Sequence, residues 1–385
     1  MNDLPMLDTS RRPIYESEHE LFRDQVRKFI GVHVLPHLDR WERDGIVERA
    51  LWSACGEAGI LCPGITEAHG GLGLDFRYNA IIGEELAYAG SSTGITLQSD
   101  VCADYIAHYG SDEQREAWLG RMIAGETVVA IAMTEPGTGS DLQGIRTTAR
   151  REGEDYVIDG AKTYITNGQH ADLVIVVAKT EPAMGAKGIS LILVEADRAG
   201  FARGRNLDKI GQHASDTSEL FFANVRVPAS NLIGQEGRGF AYLMQQLPQE
   251  RLTIAVGAQA SAQRAFDEAL GFTRERKAFG KAILDFQATR FALAEMATQL
   301  QAGWAHLDWA IARHVDGKLT GEEAAAAKLF HSELQNRVCD AALQLHGGAG
   351  YMNEYPIARL WRDARVSRIY GGTSEIMKEV IGRAL

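Results

Sequence analysis

The chain has 385 residues, 45% of them hydrophobic, with 40 Lys and Arg against 51 Asp and Glu for a formal net charge of −11. That length exceeds what one compact core usually holds, so two or three domains are expected, and no apolar run is long enough to span a bilayer. The negative balance, with no basic run to offset it, argues against nucleic acid as a partner.

In chain order, the opening MNDLPMLDTSRR lacks an apolar signal core and carries acids early, which sets the expectation of a cytoplasmic protein. Cys55, Cys62, Cys102 and Cys339 form no CxxC pair, the usage of a reduced chain. Residues 15–125 read as helical. Ser17 followed by Glu20 has the capping-box pattern, and Leu21, Phe22, Val26, Phe29 and Ile30 recur at helical spacing. Further helices are expected over 47–58, 76–89, 99–109 and 112–124, with Gly-rich turns such as HGGLG at 69–73 between them.

Near 130 the pattern changes. VVAIAMTEP, DYVIDG, ADLVIVVAKT, GISLILVEA and SELFFANVRVP are short β-branched runs broken by Gly, Asp and Asn, which predicts closely spaced strands in a barrel or sandwich. After Gly239 helices return over 239–277, 284–315, 321–346 and 366–383. Pro248 must kink the first of these or begin a new helix. Helices, then strands, then helices imply segregated α+β domains, not a doubly wound sheet.

The common motifs are missing. GGLGLDF at 70–76 puts Phe76 where a dinucleotide fingerprint needs its last Gly, and neither a GxxxxGK[ST] phosphate loop nor a GxSxG elbow occurs. His33 and His37 share a helix face without the Glu of HExxH, so no metal site is expected. Three Gly-rich segments remain: AMTEPGTGSDL at 132–142, LHGGAGY at 345–351 and IYGGTSEIM at 369–377. Such segments let main-chain N–H groups approach a phosphate or a polar ring edge; ordinary turns use the same residues.

Together with RERKAFGK at 274–281, these segments resemble the acyl-CoA dehydrogenase family, in its expected order and over nearly the whole chain. LPQERL at 247–252, SDLQGI at 140–145 and IYGGTSEIMKE at 369–379 are most similar to its long-chain branch. The resemblance implies an N-terminal helical domain (1–129), a middle β-barrel domain (130–238) and a C-terminal four-helix bundle (239–385). It implies FAD as cofactor, an acyl-CoA substrate, an electron-transfer flavoprotein as acceptor and a homotetramer built as a dimer of dimers.

The reaction removes a proton from Cα and a hydride from Cβ of a thioester. The Cα proton is so weakly acidic that the site must polarise the carbonyl and raise the basicity of a positioned base. Most family members carry a Glu directly after the Tyr of the last motif, where this chain has Gly371. The long-chain and isovaleryl branches keep their base directly before an Arg, which Glu250 before Arg251 matches. The resemblance makes Glu250 the catalytic base, with Gly371 leaving room for it. Read locally, Glu250 is equally an acid in the first turn of a helix begun by Pro248.

By the same resemblance, substrate contacts fall to Ser140, Leu247, Arg251, Tyr370 and the Gly371 amide. FAD contacts fall to Met133, Thr134, Gly139, Ser140, Tyr164, Ile165, Thr166, Gln344, Gly347, Gly348, Thr373 and Glu375. Arg276, Phe279 and Gln287 would reach the cofactor of the adjacent subunit. Two other readings stay open: an acyl-CoA oxidase, which is usually longer and passes electrons to oxygen, and a non-catalytic acyl-CoA-binding homologue.

Overall fold

The computed structural model describes residues 6–385, so the first five residues of the opening stretch lie outside it. The first part holds α1 (Ser17–His33), α2 (Leu38–Asp44), α3 (Arg49–Glu57), α4 (Phe76–Tyr88), α5 (Ile95–Leu97), α6 (Ala103–Tyr109) and α7 (Asp112–Ile123). The cap of α1 differs from expectation: Glu16 and His19 make the reciprocal pair, the His19 ring accepting from the Glu16 amide at 3.1 Å. The buried face of α1 follows His19, Arg23, Val26 and Ile30, leaving Leu21 exposed. It turns that way because Arg23 pairs with Glu84 and Glu85 of α4. The helix expected over 99–109 opens as a single π turn over Gln98–Cys102 that runs into α6; such turns are frequent at functional sites.

The strands are β1 (Val129–Ala132), β2 (Thr148–Glu152), β3 (Asp155–Thr166), β4 (Leu173–Lys179), β5 (Ile189–Glu195), β6 (Phe201–Asn206), β7 (Thr217–Pro228) and β8 (Leu232–Ile233). They form one eight-stranded sheet in the order β6-β7-β3-β2-β4-β5-β8, with β1 beside β4. β4 runs parallel to β1 and β2 and antiparallel to β5. Val174, Val176, Ile192 and Val194 turn into the core shared with Ile158 and Leu220. Their neighbours Ile175, Val177, Leu191 and Leu193 turn the other way, into the core of the N-terminal helices. Burial on both faces is why β4 and β5 read as unbroken apolar runs.

The last part holds α8 (Gly239–Glu275), the hairpin β9 (Lys277–Ala278) and β10 (Lys281–Ala282), then α9 (Gln287–Val315), α10 (Gly321–His346), α11 (Pro356–Ala364) and α12 (Ser374–Gly382). α8, α9 and α10 pack together, and α11 and α12 lie against α10. α8 continues through Pro248, so Glu250 lies well inside a long helix and its first-turn reading falls. The helix expected over 366–383 is broken. A 3₁₀ turn covers Arg365–Arg368, and Gly371 and Gly372 then take φ of +62° and +97°. Two successive left-handed residues cannot continue a right-handed helix, and α12 starts afresh with the Thr373 hydroxyl accepting from the Ile376 amide at 3.3 Å. Among the described residues, no helix is long and apolar enough to cross a membrane.

Candidate active site

α8 packs against the π turn and α6, and side chains knit the two together. Thr253 Oγ1 and Asn79 Nδ2 donate to the Asp100 carboxylate at 3.1 and 2.8 Å. Gln249 donates to the Asp100 carbonyl at 2.8 Å and to the Asp104 carboxylate. Between these ties, Tyr105 Oη donates to Glu250 Oε1 at 2.7 Å. Tyr105 is fully buried, so one carboxylate oxygen of Glu250 is held by a rigid partner and the other is left for chemistry. Burial pushes the Glu250 carboxyl up to about 7; the Tyr105 hydroxyl and Arg251 guanidinium oppose the rise, and the Asp104 carboxylate adds to it. A carboxyl tuned to that range suits proton abstraction near neutral pH.

Gly371 faces the same part of α8. A Cβ built at 371 would collide with Ile254 Cδ1, and Ile254 stands one helical turn beyond Glu250. The room expected beside Gly371 is therefore filled by a branched apolar side chain, not kept for the carboxylate. The Gly371 amide has no hydrogen-bond partner among the described residues. Arg251 is buried with its Nε also unpartnered among them. Leu247 is half-buried and Tyr370 exposed.

The sheet contributes a second group. The Thr163 amide donates to the Thr134 carbonyl at 2.9 Å, setting Met133 and Thr134 alongside Tyr164 and Thr166. Glu135 fixes the loop that follows: it accepts from the Arg146 and Thr147 amides at 2.6 and 3.0 Å and pairs with buried Lys162 at 2.9 Å. Gly139 and Ser140 are exposed beyond it. Tyr164 is 69% exposed with φ +60°, a strained conformation for a bulky residue and one that gathers at functional sites. Strand alternation sends Ile165 the opposite way, into the sheet core. Its expected cofactor contact is thus limited to its backbone. Asn167 Nδ2 reaches the Gly94 carbonyl at 3.2 Å, joining this edge to the segment that leads to Tyr105.

A third group lies at the far end of the bundle. Arg276, Gln287, Gln344, Gly347 and Gly348 are exposed there, and Phe279 is 96% exposed with φ +51°. Phe272 stacked on His346 at 4.4 Å brings the ends of α8 and α10 together. At about 1.5 Å rise per residue, the helical path from Glu250 to Arg276 is about 39 Å. One chain does not bring this group to its own Glu250. Thr373 spends its hydroxyl on the α12 cap, and Glu375 is exposed in the first turn of α12.

Sequence reading missed Tyr105, Ile254 and Lys328, which donates from α10 to the Gly372 carbonyl at 2.6 Å. Tyr105 and Ile254 look like core residues and carry no signal. Lys328 did carry one: a lone cation within the Ala-rich run EEAAAAKLF.

An N-terminal helical part, a single mixed sheet and a helical bundle, with these Gly-rich segments in the sheet part and the bundle, are the architecture of an acyl-CoA dehydrogenase. Residues 16–126, 130–225 and 237–385 match the family's N-terminal, middle and C-terminal domains. The chain belongs to the acyl-CoA dehydrogenase family and is an oxidoreductase. It is 49% identical to the long-chain specific acyl-CoA dehydrogenase, mitochondrial, of Sus scrofa, over 99% of this chain and 89% of that one. An acyl-CoA dehydrogenase of Geobacillus kaustophilus superposes with a TM-score of 0.95 at 48% identity, covering 97% of this chain and 99% of the other. A glutaryl-CoA dehydrogenase of Mycobacterium smegmatis, solved in complex with FADH2, superposes at 0.92 with 29% identity, covering 99% and 97%.

Proposed function

We propose that this protein is an FAD-dependent dehydrogenase that oxidises a fatty acyl-CoA to its trans-2-enoyl-CoA, with Glu250 as the base. The observation that carries the reading is the Glu250 carboxyl, raised to about 7 and held by Tyr105, on the part of α8 whose Ile254 packs against Gly371. The family is FAD-dependent in general, and the residues present fit that group. Tyr164 offers an exposed aromatic face on the same strand as Thr166, and Arg276 offers an exposed planar cation for a pyrophosphate near the exposed Gly347–Gly348 turn. Bound FAD supplies the hydride acceptor.

The protein's own residues do the rest. The Gly371 amide takes the thioester oxygen, and buried Arg251 adds positive charge close by. The free oxygen of the Glu250 carboxylate takes the α-proton, with Tyr105 steadying the anion beforehand. Leu247 and Tyr370 border the acyl channel, and Ser140 approaches the ligand from the sheet. The proposed homotetramer would bring Arg276, Phe279 and Gln287 to a neighbour's cofactor, which suits their exposure far from Glu250. An electron-transfer flavoprotein is the proposed acceptor, and a long or branched acyl chain the proposed substrate, in line with the relatives' names.

Anaerobic bleaching of the flavin tests this. Glu250→Gln is expected to keep its yellow colour and acyl-CoA affinity while losing at least a hundredfold in bleaching rate, the scale of a general base. Bleaching as fast as wild type would move the base elsewhere. Rapid peroxide formation by the reduced protein would instead assign an oxidase. A panel of straight and branched acyl-CoAs reads out the substrate.

A further inference from the structure

Lys328 lies in the apolar face of α10 with 0% exposure, among buried Ala324, Ala325 and Ala327. A buried ammonium is costly unless something compensates it. The compensation is unusual: Lys328 Nζ donates to the Gly372 carbonyl at 2.6 Å, not to a carboxylate. Glu333 of α10 is occupied by Arg368 at 2.8 Å and by Ser374 Oγ at 2.7 Å, and Glu375 is exposed on α12. Arg251 of α8 faces Lys328 and repels it. Burial and this repulsion push the ammonium down to about 8, while Glu333 and Glu375 pull it up.

The carbonyl it holds belongs to the turn in which Gly371 and Gly372 are both left-handed. Glycines impose no conformation of their own, so the aim of the Gly371 amide depends on ties from outside the turn. Lys328 supplies one at Gly372 itself, and Glu333 supplies others on either side, at Arg368 and Ser374. A lysine is a poor choice for a mere strut, because its charge must be buried to place it there.

We propose that Lys328 is a positioning residue for the thioester carbonyl: through Gly372 it aims the Gly371 amide, and with Arg251 it sets positive charge beneath the turn where negative charge develops on the substrate. The inference rests on the reading of Gly371 as the carbonyl donor. A donor aimed in advance favours the enolate-like transition state over the ground state, so its loss falls on kcat more than on KM.

The test is Lys328→Met in the flavin-loaded enzyme. The probe is a conjugated trans-2-enoyl-CoA whose ultraviolet band moves to longer wavelength when its carbonyl is polarised. Wild type is expected to move the band. Lys328→Met is expected to keep its flavin, to lose at least half of that movement, and to lose roughly tenfold or more in kcat with KM little changed. An undiminished band movement and an unchanged kcat would overturn the proposal. No movement with wild type would remove Gly371 as donor and bring down the carbonyl reading as well. Should Lys328→Met fail to fold, a Glu250→Gln enzyme titrated upward through about 8 puts the same question. With Glu250 uncharged and Lys162, the other buried lysine that titrates near 8, replaced by Met as a control, the charge part of the band movement must fall as Lys328 loses its proton. A constant movement across that range refutes the charge that Lys328 is proposed to set beneath the turn, since its neutral amine can still donate to the Gly372 carbonyl.

Discussion

At the scale of single residues, Tyr105 and Glu250 form the smallest unit with a checkable consequence. The hydroxyl stabilises the carboxylate and not the acid, so it holds the Glu250 carboxyl below the value burial alone would give. A hydrogen bond to a charged group contributes about 1.5–3 kcal/mol, and about 1.4 kcal/mol corresponds to one pH unit. In wild type, flavin bleaching by substrate should rise with pH and level off above about 7, because only the ionised base accepts the proton. Tyr105→Phe should move that midpoint upward by about one to two units and leave the plateau rate nearly unchanged. A pH profile superimposable on wild type would show that the hydroxyl does not act on the base. Glu250 was legible as the candidate base only because Gly371 lacks the usual carboxylate and an Arg follows it. Tyr105 was not legible, since an aromatic on the apolar face of a short helix reads as core and nothing local announces that its hydroxyl finds a carboxylate 145 positions away.

Elements explain what single residues do not. α8 runs unbroken through Pro248, and that continuity puts Ile254 one turn past Glu250 and directly against Gly371. Moving the carboxylate to the commoner family position therefore requires the Ile254 side chain to shift. The exchange Gly371→Glu with Glu250→Gly should give little activity, because a side chain at 371 collides with Ile254 and must also adopt φ +62°. Adding Ile254→Ala removes the collision and should raise bleaching by at least tenfold over the double variant, since small misplacements of a base cost about a hundredfold. An equally inactive triple variant would mean that the left-handed backbone, not Ile254, forbids the move. The order of elements was plain in the sequence, as periodicity switched from helical to alternating near 130 and back near 239. The break inside 366–383 and the cap at Glu16 were less so. Polar and Gly residues sit there in patterns that fit a helix locally, and tertiary ties — Lys328 to Gly372, Arg23 to Glu84 and Glu85 — decide the outcome.

Across the whole molecule, one buried ionic network joins the chain's opening segment to both helical parts. Glu84 of α4 is fully buried and bonds Arg12 at 2.7 Å, Arg23 of α1 at 2.9 Å and the Tyr15 hydroxyl at 2.8 Å. Arg12 continues to Asp308 of α9 at 2.6 Å and lies over the Trp304 ring at 4.2 Å. Glu84 thus helps hold α1, α4 and α9 in one arrangement, and α4 also packs on α8, which carries Glu250. Removing one partner of such a network strands the others, at a cost of about 3–5 kcal/mol. Burial alone would raise the Glu84 carboxyl, but Arg12 and Arg23 outweigh it and hold the group below the ordinary carboxylate range. A carboxyl lowered in the fold stabilises fully above its unfolded value, about 4.3, and ceases to as pH falls through the folded one. Glu84→Gln should therefore lower the urea midpoint strongly at neutral pH. Its deficit against wild type should shrink as both proteins are acidified below that range, since wild type then loses the same charge. A deficit that stays constant down to the acid transition would mean that Glu84 supports the fold by its shape, and that its pairing with Arg12 and Arg23 contributes nothing net.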